Sequence, residues 1–426
     1  MKIYLVGGAV RDQIMGLEPH DKDYVIVGAT EKDIQKMLLE GYKEVGKSFP
    51  VFLHPETKDQ YALARTERST HQSLKSFIKE NVSLEEDLKR RDLTINSIAF
   101  DIQTKEYIDP FGGINDIKNK ILRNTSNSFR DDPLRILRVA RFKCKYSNFK
   151  ISEELHTEIN FINNNLKNLL LSIPKSRILG EIRKTWEYKN PSLFFKTLNE
   201  VNSLQILFPS LYKLIGVEQS KIYHPEGDAF VHTMMVYDNI LSLTQNEDCI
   251  FACLLHDLGK GETPKNEWPK HIAHEIKGLP LIEQFCKEYD FNKKRTSFIL
   301  LFSKYHIKIH SSLKMNPKGI VKLFDDLHLK NSNDVKEIDN SIVNLSTYKL
   351  NKFLLCAKSD ALGKLNDNYH QGEFLLKCLE VISEVSRKEI REKLNDNNRL
   401  DLLEKKFYDK KVSYLKKKLD KIKLNN

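Results

Sequence analysis

Residues 3–15, Ile3-Tyr4-Leu5-Val6-Gly7-Gly8-Ala9-Val10-Arg11-Asp12-Gln13-Ile14-Met15, decide how the chain begins to fold. Residues 3–6 read as a strand and residues 9–15 as a helix, with a Gly-Gly pair between them. Glycines at such a turn let the backbone approach a phosphate. The helix N-terminus behind them offers free N–H groups and a positive dipole end. Gly8 belongs to this cradle, and Arg11, one turn in, is placed to reach the same phosphates. A strand–helix turn often needs glycine for steric reasons alone, so the turn by itself is weak evidence, and a nearby carboxylate pair strengthens it. Asp21-Lys22-Asp23-Tyr24 opens a second strand over residues 24–27. Residues i and i+2 of a strand point the same way, so Asp21 and Asp23 face together. Two ionised carboxylates side by side repel unless a divalent cation lies between them. Mg2+ on such a pair would activate an attacking hydroxyl and steady a leaving pyrophosphate.

Working outward, residues 50–54 and 60–64 read as strands, and residues 98–101 and 107–108 as weaker ones. Residues 31–39 read as a helix opened by Thr30 as its cap. That alternation makes a small α/β domain. From about Pro133 strand signals nearly vanish, and Leu134, Leu137, Val139, Ala140 and Phe142 begin a long series of helical patterns. Pro225-Glu226-Gly227-Asp228 breaks the series, after which His232 starts another helix; residues 259–269 read as a loop. Between Lys405 and Lys423 stand nine lysines against two aspartates. Leu403, Phe407, Val412, Leu415, Leu419 and Ile422 fall near helical spacing there, which fits a basic amphipathic helix.

At 426 residues the chain exceeds one ordinary core, so two to four structural units are expected. Hydrophobic residues at 40% and charged ones at 30% exclude a disordered chain. The formal charge of +11 favours a polyanionic partner, although lysine is abundant throughout. The first residues carry no cleavable signal pattern and no run approaches a membrane span, so a cytoplasmic protein with no membrane partner is expected. The six cysteines form no CxxC pair and read as reduced core thiols.

A second constellation lies downstream. His256, within Leu254-Leu255-His256-Asp257-Leu258-Gly259-Lys260, follows His232 by 24 residues, and His271, His274, His306 and Asp360 lie further on. Imidazole nitrogen with carboxylate oxygen suits transition metals as well as Mg2+, and a metal-bound water can attack a phosphate ester. Burying His256 and Asp257 together in an apolar helix without a metal would be costly.

Leu5-Val6-Gly7-Gly8-Ala9-Val10-Arg11-Asp12 with Asp21 and Asp23 resembles the polymerase β-type nucleotidyltransferases. More narrowly, it resembles the class II tRNA nucleotidyltransferases (CCA-adding enzymes) and the bacterial poly(A) polymerases. Arg90-Arg91-Asp92-Leu93-Thr94-Ile95-Asn96-Ser97 is similar to that family's RRDxTINA motif, with Ser97 in place of alanine. The segment from Asp131-Asp132-Pro133 through Arg135, Arg138 and Arg141 to Phe142 is similar to its EDPxRxLRxxRF motif, with Asp131 for glutamate. Residues 254–261 resemble the HD phosphohydrolases.

The resemblance implies an α+β protein. A nucleotidyltransferase head with a mixed sheet would span residues 1–125, a helical neck 126–220, a helical HD domain 221–365 and a basic helical tail 366–426. It implies Asp21 and Asp23 as catalytic ligands of Mg2+. Asp132 and Arg135 would form a protein template that pairs with the amino group and ring nitrogen shared by cytosine and adenine, rejecting guanine and uracil. Arg91, Arg138 and Arg141 would contact base, ribose or triphosphate. Asp92 would support the nucleotide or brace Arg91, and Asn96 would fix the ribose or the local turn. Glu67 is either a third acidic group or a structural partner of Arg65 or Arg68, and residues 69–82 would form a flexible loop. In the HD domain the implied ligands are His232, His256, Asp257 and Asp360, holding a transition metal such as Ni2+ (or Mg2+). His274 and His306 would bind substrate or a second metal.

The implied function is CCA addition to the tRNA 3′ end from CTP and ATP, by a monomer or homodimer. HD-domain phosphatase, 2′-nucleotidase and 2′,3′-cyclic phosphodiesterase activities would accompany it. A bacterial poly(A) polymerase, or an RNA-binding HD phosphohydrolase with an inactive head, are the alternatives. Gly46-Lys47-Ser48-Phe49, where poly(A) polymerases carry G-[RK]-[RK]-F, and the HD segment favour CCA addition.

Overall fold

The computed structural model describes residues 1–19, 21–46, 50–66, 78, 81–329, 335–338, 341–363, 369–392 and 400–424. Glu67, Lys47-Ser48-Phe49 and nearly all of the expected loop at 69–82 lie outside these described residues. The chain forms two compact units, Met1–Leu207 and Phe208–Asn426.

The first unit opens with β1 (Lys2–Val6), α1 (Gly8–Ile14), β2 (Asp23–Val27) and α2 (Glu31–Leu39). It continues with β3 (Lys43–Val45), β4 (Val51–Leu53), β5 (Gln60–Leu63), β6 (Ala99–Asp101) and β7 (Tyr107–Ile108). The sheet order is β3-β4-β5-β2-β1-β6-β7, with β2 and β5 parallel and the other neighbours antiparallel. The expected mixed sheet is therefore present. Alternation divides β2 between two cores: Val25 packs with Tyr4, Val6, Leu88 and Ala99, while Ile26 packs with Ile34, Met37, Phe52 and Leu63 under α2. Thr30 caps α2 as expected, accepting from the Asp33 N–H in a reciprocal capping box. β3 was not foreseen, because Lys43-Glu44-Val45 is wholly exposed and shows no apolar alternation.

Beyond the sheet the unit turns helical. Leu134–Lys145 packs against Leu193–Glu200 and Lys175–Arg183, burying Leu134, Leu137, Val139, Ala140 and Phe142. One short parallel pair, Ile121–Leu122 with Lys150–Ile151, joins the two parts of this unit.

In the second unit the helices Ala229–Leu243, Glu247–Leu255, Lys293–His310 and Leu345–Gly363 pack on one another. The break at residues 225–228 is itself a cap. The Asp228 carboxylate accepts from the Val231 N–H at 2.9 Å, so the helix starts at Ala229, three residues before the expected His232. The C-terminal helix Leu400–Leu424 lies on Pro317–Asp326 and Gln371–Ser383, burying Leu403, Phe407, Leu415, Leu419 and Ile422. Val412 is only half-buried; Lys411 fills that place, its Nζ 3.2 Å from Asp325. A hairpin, Val335–Ile338 with Ser341–Asn344, interrupts the helical series and was not read from the sequence.

Candidate active sites

In the first unit the β1–β2 register sets Val6 opposite Asp23, which brings the Gly7-Gly8 turn to the same sheet end as the carboxylate pair. Gly7 has φ +71 and ψ −133, a conformation open only to glycine, and a Cβ there would meet Arg91 Nη1 at 3.0 Å. A cleft of about 960 Å3 opens at this point. It is lined by Gly8, Arg11, Asp21, Asp23, Arg91, Asp92, Asp132, Arg135, Arg138 and Arg141, which the motifs of the expected head and neck singled out. Protein mass around Asp23 pushes its carboxyl upward, Arg91 opposes, and the Asp21 and Asp59 carboxylates push further up. Burial is the largest cause of the net rise and the like charges add to it; a hard divalent cation would relieve both. Oxygen donors on one cleft wall suit Mg2+.

The arginines are held by a lattice of acids. Asp92 accepts from Arg138 Nε at 2.7 Å, Asn96 Nδ2 at 2.9 Å and the Leu93 N–H at 2.9 Å. Burial acts against this carboxylate, yet Arg138 and Asn96 hold its pKa well below the usual range. Asn96 in turn accepts from Arg11 Nη1 at 2.6 Å, so it ties the phosphate cradle to Asp92. Arg91 is braced by Asp87, at 3.1 Å, and not by Asp92; Asp87 also binds Arg90 at 2.6 Å. Arg141 donates to Glu181 at 2.6 Å.

The expected template pair is arranged differently from the sequence picture. Arg135 is buried and donates through Nη1 to the Ser128 carbonyl and through Nη2 to the Arg90 carbonyl, each at 2.6 Å. Asp132 caps its helix through the Leu134 N–H at 3.0 Å and accepts from Arg177 Nη2 at 2.7 Å. Asp87, Glu181 and Arg177 were not picked from the sequence. Nothing in their spacing marks them, because they meet the cleft only through the packing of separate helices.

In the second unit five helices converge on a buried nest, among them the short helix His274–Lys277. His232 Nε2 lies 3.1 Å from Asp360 and 3.7 Å from Asp257; His256 Nε2 lies 3.2 Å from Asp257 and 3.8 Å from Asp360. The four residues expected as ligands are thus together. His274 and His306 approach the other Asp257 oxygen, at 3.2 and 3.7 Å. The nest forms overlapping metal-sized groups, His232-His256-Asp257 and Asp257-His274-His306.

The imidazoles are pre-aimed. His256, His274 and His306 each set Nδ1 against the carbonyl three residues back, at 2.8, 2.9 and 2.6 Å, while His232 Nδ1 faces Glu226 at 2.8 Å. A proton held on Nδ1 leaves the Nε2 lone pair for a metal. Neither His256 Nε2 nor Asp257 Oδ1 makes an aligned hydrogen bond among the described residues. Orphaned donors of this type inside an N/O nest fit a divalent metal.

Lys260 Nζ contacts Asp257 at 2.6 Å and Gln219 at 2.5 Å, and His310 Nε2 contacts Asp360 at 2.6 Å. Glu226 and Lys260 stood inside quoted motifs without an assigned role. His310 was missed although it lies one turn beyond His306. His271 is structural, with its ring spanning Thr263 Oγ1 at 2.7 Å and the Glu218 carbonyl at 2.9 Å.

Comparison with known proteins finds a related domain in the segment that carries each site. A family model described as "Poly A polymerase head domain" matches residues 3–123, "Probable RNA and SrmB-binding site of polymerase A" matches 148–214, and "HD domain" matches 229–330. Among solved structures, a CCA-adding enzyme in complex with ATP aligns over 96% of this chain and 86% of its own, with TM-score 0.59 and 19% identity. The Thermotoga maritima CCA-adding enzyme complexed with tRNA aligns over 97% and 87%, with TM-score 0.57 and 18% identity. These likenesses establish the fold. A multifunctional CCA protein from Shewanella frigidimarina is 42% identical over 395 residues, 90% of either chain. At that identity over that span, with a nucleotidyltransferase cleft in one unit and an HD nest in the other, the chain belongs to the multifunctional CCA protein family.

Proposed function

We propose that the protein adds C, C and A to the 3′ end of tRNA from CTP and ATP, and that its histidine nest hydrolyses phosphate esters. The single observation that carries the first part is the cleft in which the Gly7-Gly8 turn, the Asp21/Asp23 pair and the arginines of residues 135–141 meet. The names of its relatives, which couple CCA addition with ATP and tRNA, support the same reading.

Asp21 and Asp23 would hold Mg2+, which supplies charge neutralisation at the triphosphate and lowers the pKa of the attacking hydroxyl. The chain's own groups do the rest. The turn amides and Arg11 receive phosphate oxygens. Asp132 accepts the amino group of cytosine or adenine, and Arg135 or Arg177 donates to the ring nitrogen. Arg135 already gives donors to two carbonyls and Arg177 one to Asp132, so base pairing draws on their remaining N–H groups or on a turn of one side chain. Asp87, Asp92 and Glu181 fix the remaining guanidiniums.

In the second unit His232, His256, Asp257 and Asp360 would hold one metal, and His274 with His306 a second shared through Asp257. A transition metal such as Ni2+, or Mg2+, would supply an activated water there. Lys260 keeps a positive charge against Asp257, and Glu226 holds the His232 ring. The four-part division at residues 125, 220 and 365, and phosphatase, 2′-nucleotidase and cyclic phosphodiesterase activities, belong to this proposal.

The test is nucleotide omission on tRNA ending at the discriminator base. CTP alone should add two residues, CTP with ATP three, and ATP alone none. Long tails from ATP alone would favour the poly(A) polymerase reading.

A further inference from the structure

The helix Leu134–Lys145 carries its cationic face one turn past the arginines of the motif. Arg135, Arg138, Arg141 and Lys145 are spaced by three, three and four, so they share one helix face, and all four line the cleft of the first unit. Arg135 and Lys145 are ten residues apart, about 15 Å along the axis. This row of cations has a direction. Arg135 stands at the end with Asp132, where the proposed function puts the base. Lys145 stands at the end with Arg11 and the Gly7-Gly8 turn, where it puts the phosphates.

Lys145 and Arg11 share one carboxylate. Asp12 Oδ2 accepts from Lys145 Nζ at 3.2 Å, while Oδ1 accepts from Arg11 Nε at 2.9 Å, Arg11 Nη2 at 2.7 Å and the Tyr146 hydroxyl at 3.0 Å. Burial and the Arg11 cation press the Lys145 ammonium toward its neutral form, Asp12 opposes them, and the net effect is a lowered pKa. Two cations against one anion favour the arrival of a further anion. The two cations differ in freedom. The Arg11 side chain is 5% exposed and is also held by Asn96, to which Nη1 donates at 2.6 Å. The Lys145 side chain is 27% exposed and, among the described residues, gives one of its three N–H groups, to Asp12. Its flexible four-carbon stem lets the ammonium turn to a ligand without disturbing the packed wall.

We propose that Lys145 binds the outer phosphates of the incoming nucleoside triphosphate, exchanging its contact with Asp12 for a phosphate oxygen, and that it holds the same group as departing pyrophosphate. The inference rests on the reading of this cleft as the CTP and ATP site. Asp12 stays with Arg11 and Tyr146 and keeps the phosphate end of the cleft in shape.

The experiment measures binding to the full-length protein in Mg2+ by isothermal titration with ATP and CTP, and with AMP by displacement of ATP. Lys145→Met should weaken ATP and CTP by roughly tenfold, the worth of one charge-assisted hydrogen bond, and leave AMP within about twofold of wild type. Lys145→Arg should restore most of the ATP affinity. In tRNA extension by Lys145→Met, KM for CTP should rise while KM for tRNA holds, and inorganic pyrophosphate should inhibit several-fold more weakly. A merely structural lysine would move ATP and AMP together and leave pyrophosphate inhibition as it was. Unchanged ATP affinity in Lys145→Met, or an equal loss for ATP and AMP, overturns the assignment while the cleft stands as a nucleotide site. Failure of the wild type to bind either ATP or CTP overturns the reading of the cleft itself, and the role of Lys145 with it.

Discussion

Asp92 shows how a cleft crowded with guanidiniums is kept in order. Its two oxygens take three hydrogen bonds, from Arg138, Asn96 and the Leu93 N–H, where it lines the cleft. The Arg138 side chain is 34% exposed, so solvent weakens the pair, and Asp92→Asn should cost about 1–3 kcal/mol at pH 7. The sign of the pH effect follows from the lowered pKa. A carboxyl held below its ordinary 3.8 stabilises the fold above that pH, and the contribution is lost as acid protonates it. Urea melts of wild type and Asp92→Asn should therefore differ by a constant amount from pH 5 to 8 and converge below about pH 4. A gap that widened in acid would contradict the assignment. Residue types and motifs were readable at this scale, but their partners were not. Asp92 was expected on Arg91 or the nucleotide, and it serves Arg138. Periodicity places Arg135 on the right face; it does not say that two carbonyls will take its donors.

Among elements, the turn after His256 carries the clearest steric demand. A Cβ on Gly259 would come within 2.0 Å of the His274 carbonyl and 2.5 Å of the Gly278 nitrogen, both backbone atoms that cannot swing aside. The close approach lets the helix His274–Lys277 bring its first residue to Asp257. Gly259→Ala should destabilise the fold by about 1–3 kcal/mol and weaken Ni2+ binding by tenfold or more, read by thermal melts and equilibrium dialysis. Unchanged metal affinity would show that the turn does not position His274. Elements with strong periodicity or a cap were legible: β1, β2, α1 and α2 stand where the pattern put them, within a residue or two, and the C-terminal helix covers the expected Lys405–Lys423 but begins at Leu400. β3 and the hairpin at residues 335–344 were not. Their pairing is decided by neighbouring strands that local composition does not name.

At the scale of the whole molecule, two candidate sites occupy two compact units, one built on a mixed sheet and the other on packed helices. Each cleft draws its candidate ligands from its own unit. His256→Ala should therefore abolish phosphate-ester hydrolysis and leave CTP incorporation within about twofold, while Asp23→Ala should do the reverse. Paired assays on the same preparations check this, and loss of both activities in either variant would contradict it. The presence of two sites was legible because each announces itself by a motif of a few residues, whereas the division into two units at residues 207 and 208 was not drawn from the sequence. The bracing acids Asp87 and Glu181 were not, since nothing in their local sequence names the arginines they hold.

The most direct test is single-turnover addition of CTP to tRNA lacking its CCA end, in Mg2+, comparing wild type with Asp21→Ala and Asp23→Ala. Each substitution removes one of the two carboxylates that would grip the metal at the triphosphate cleft. Incorporation should fall by at least roughly a thousandfold in either variant, while far-UV circular dichroism and p-nitrophenyl phosphate hydrolysis stay as in wild type. Incorporation at the wild-type rate by both variants would show that the nucleotidyl transfer does not depend on this pair.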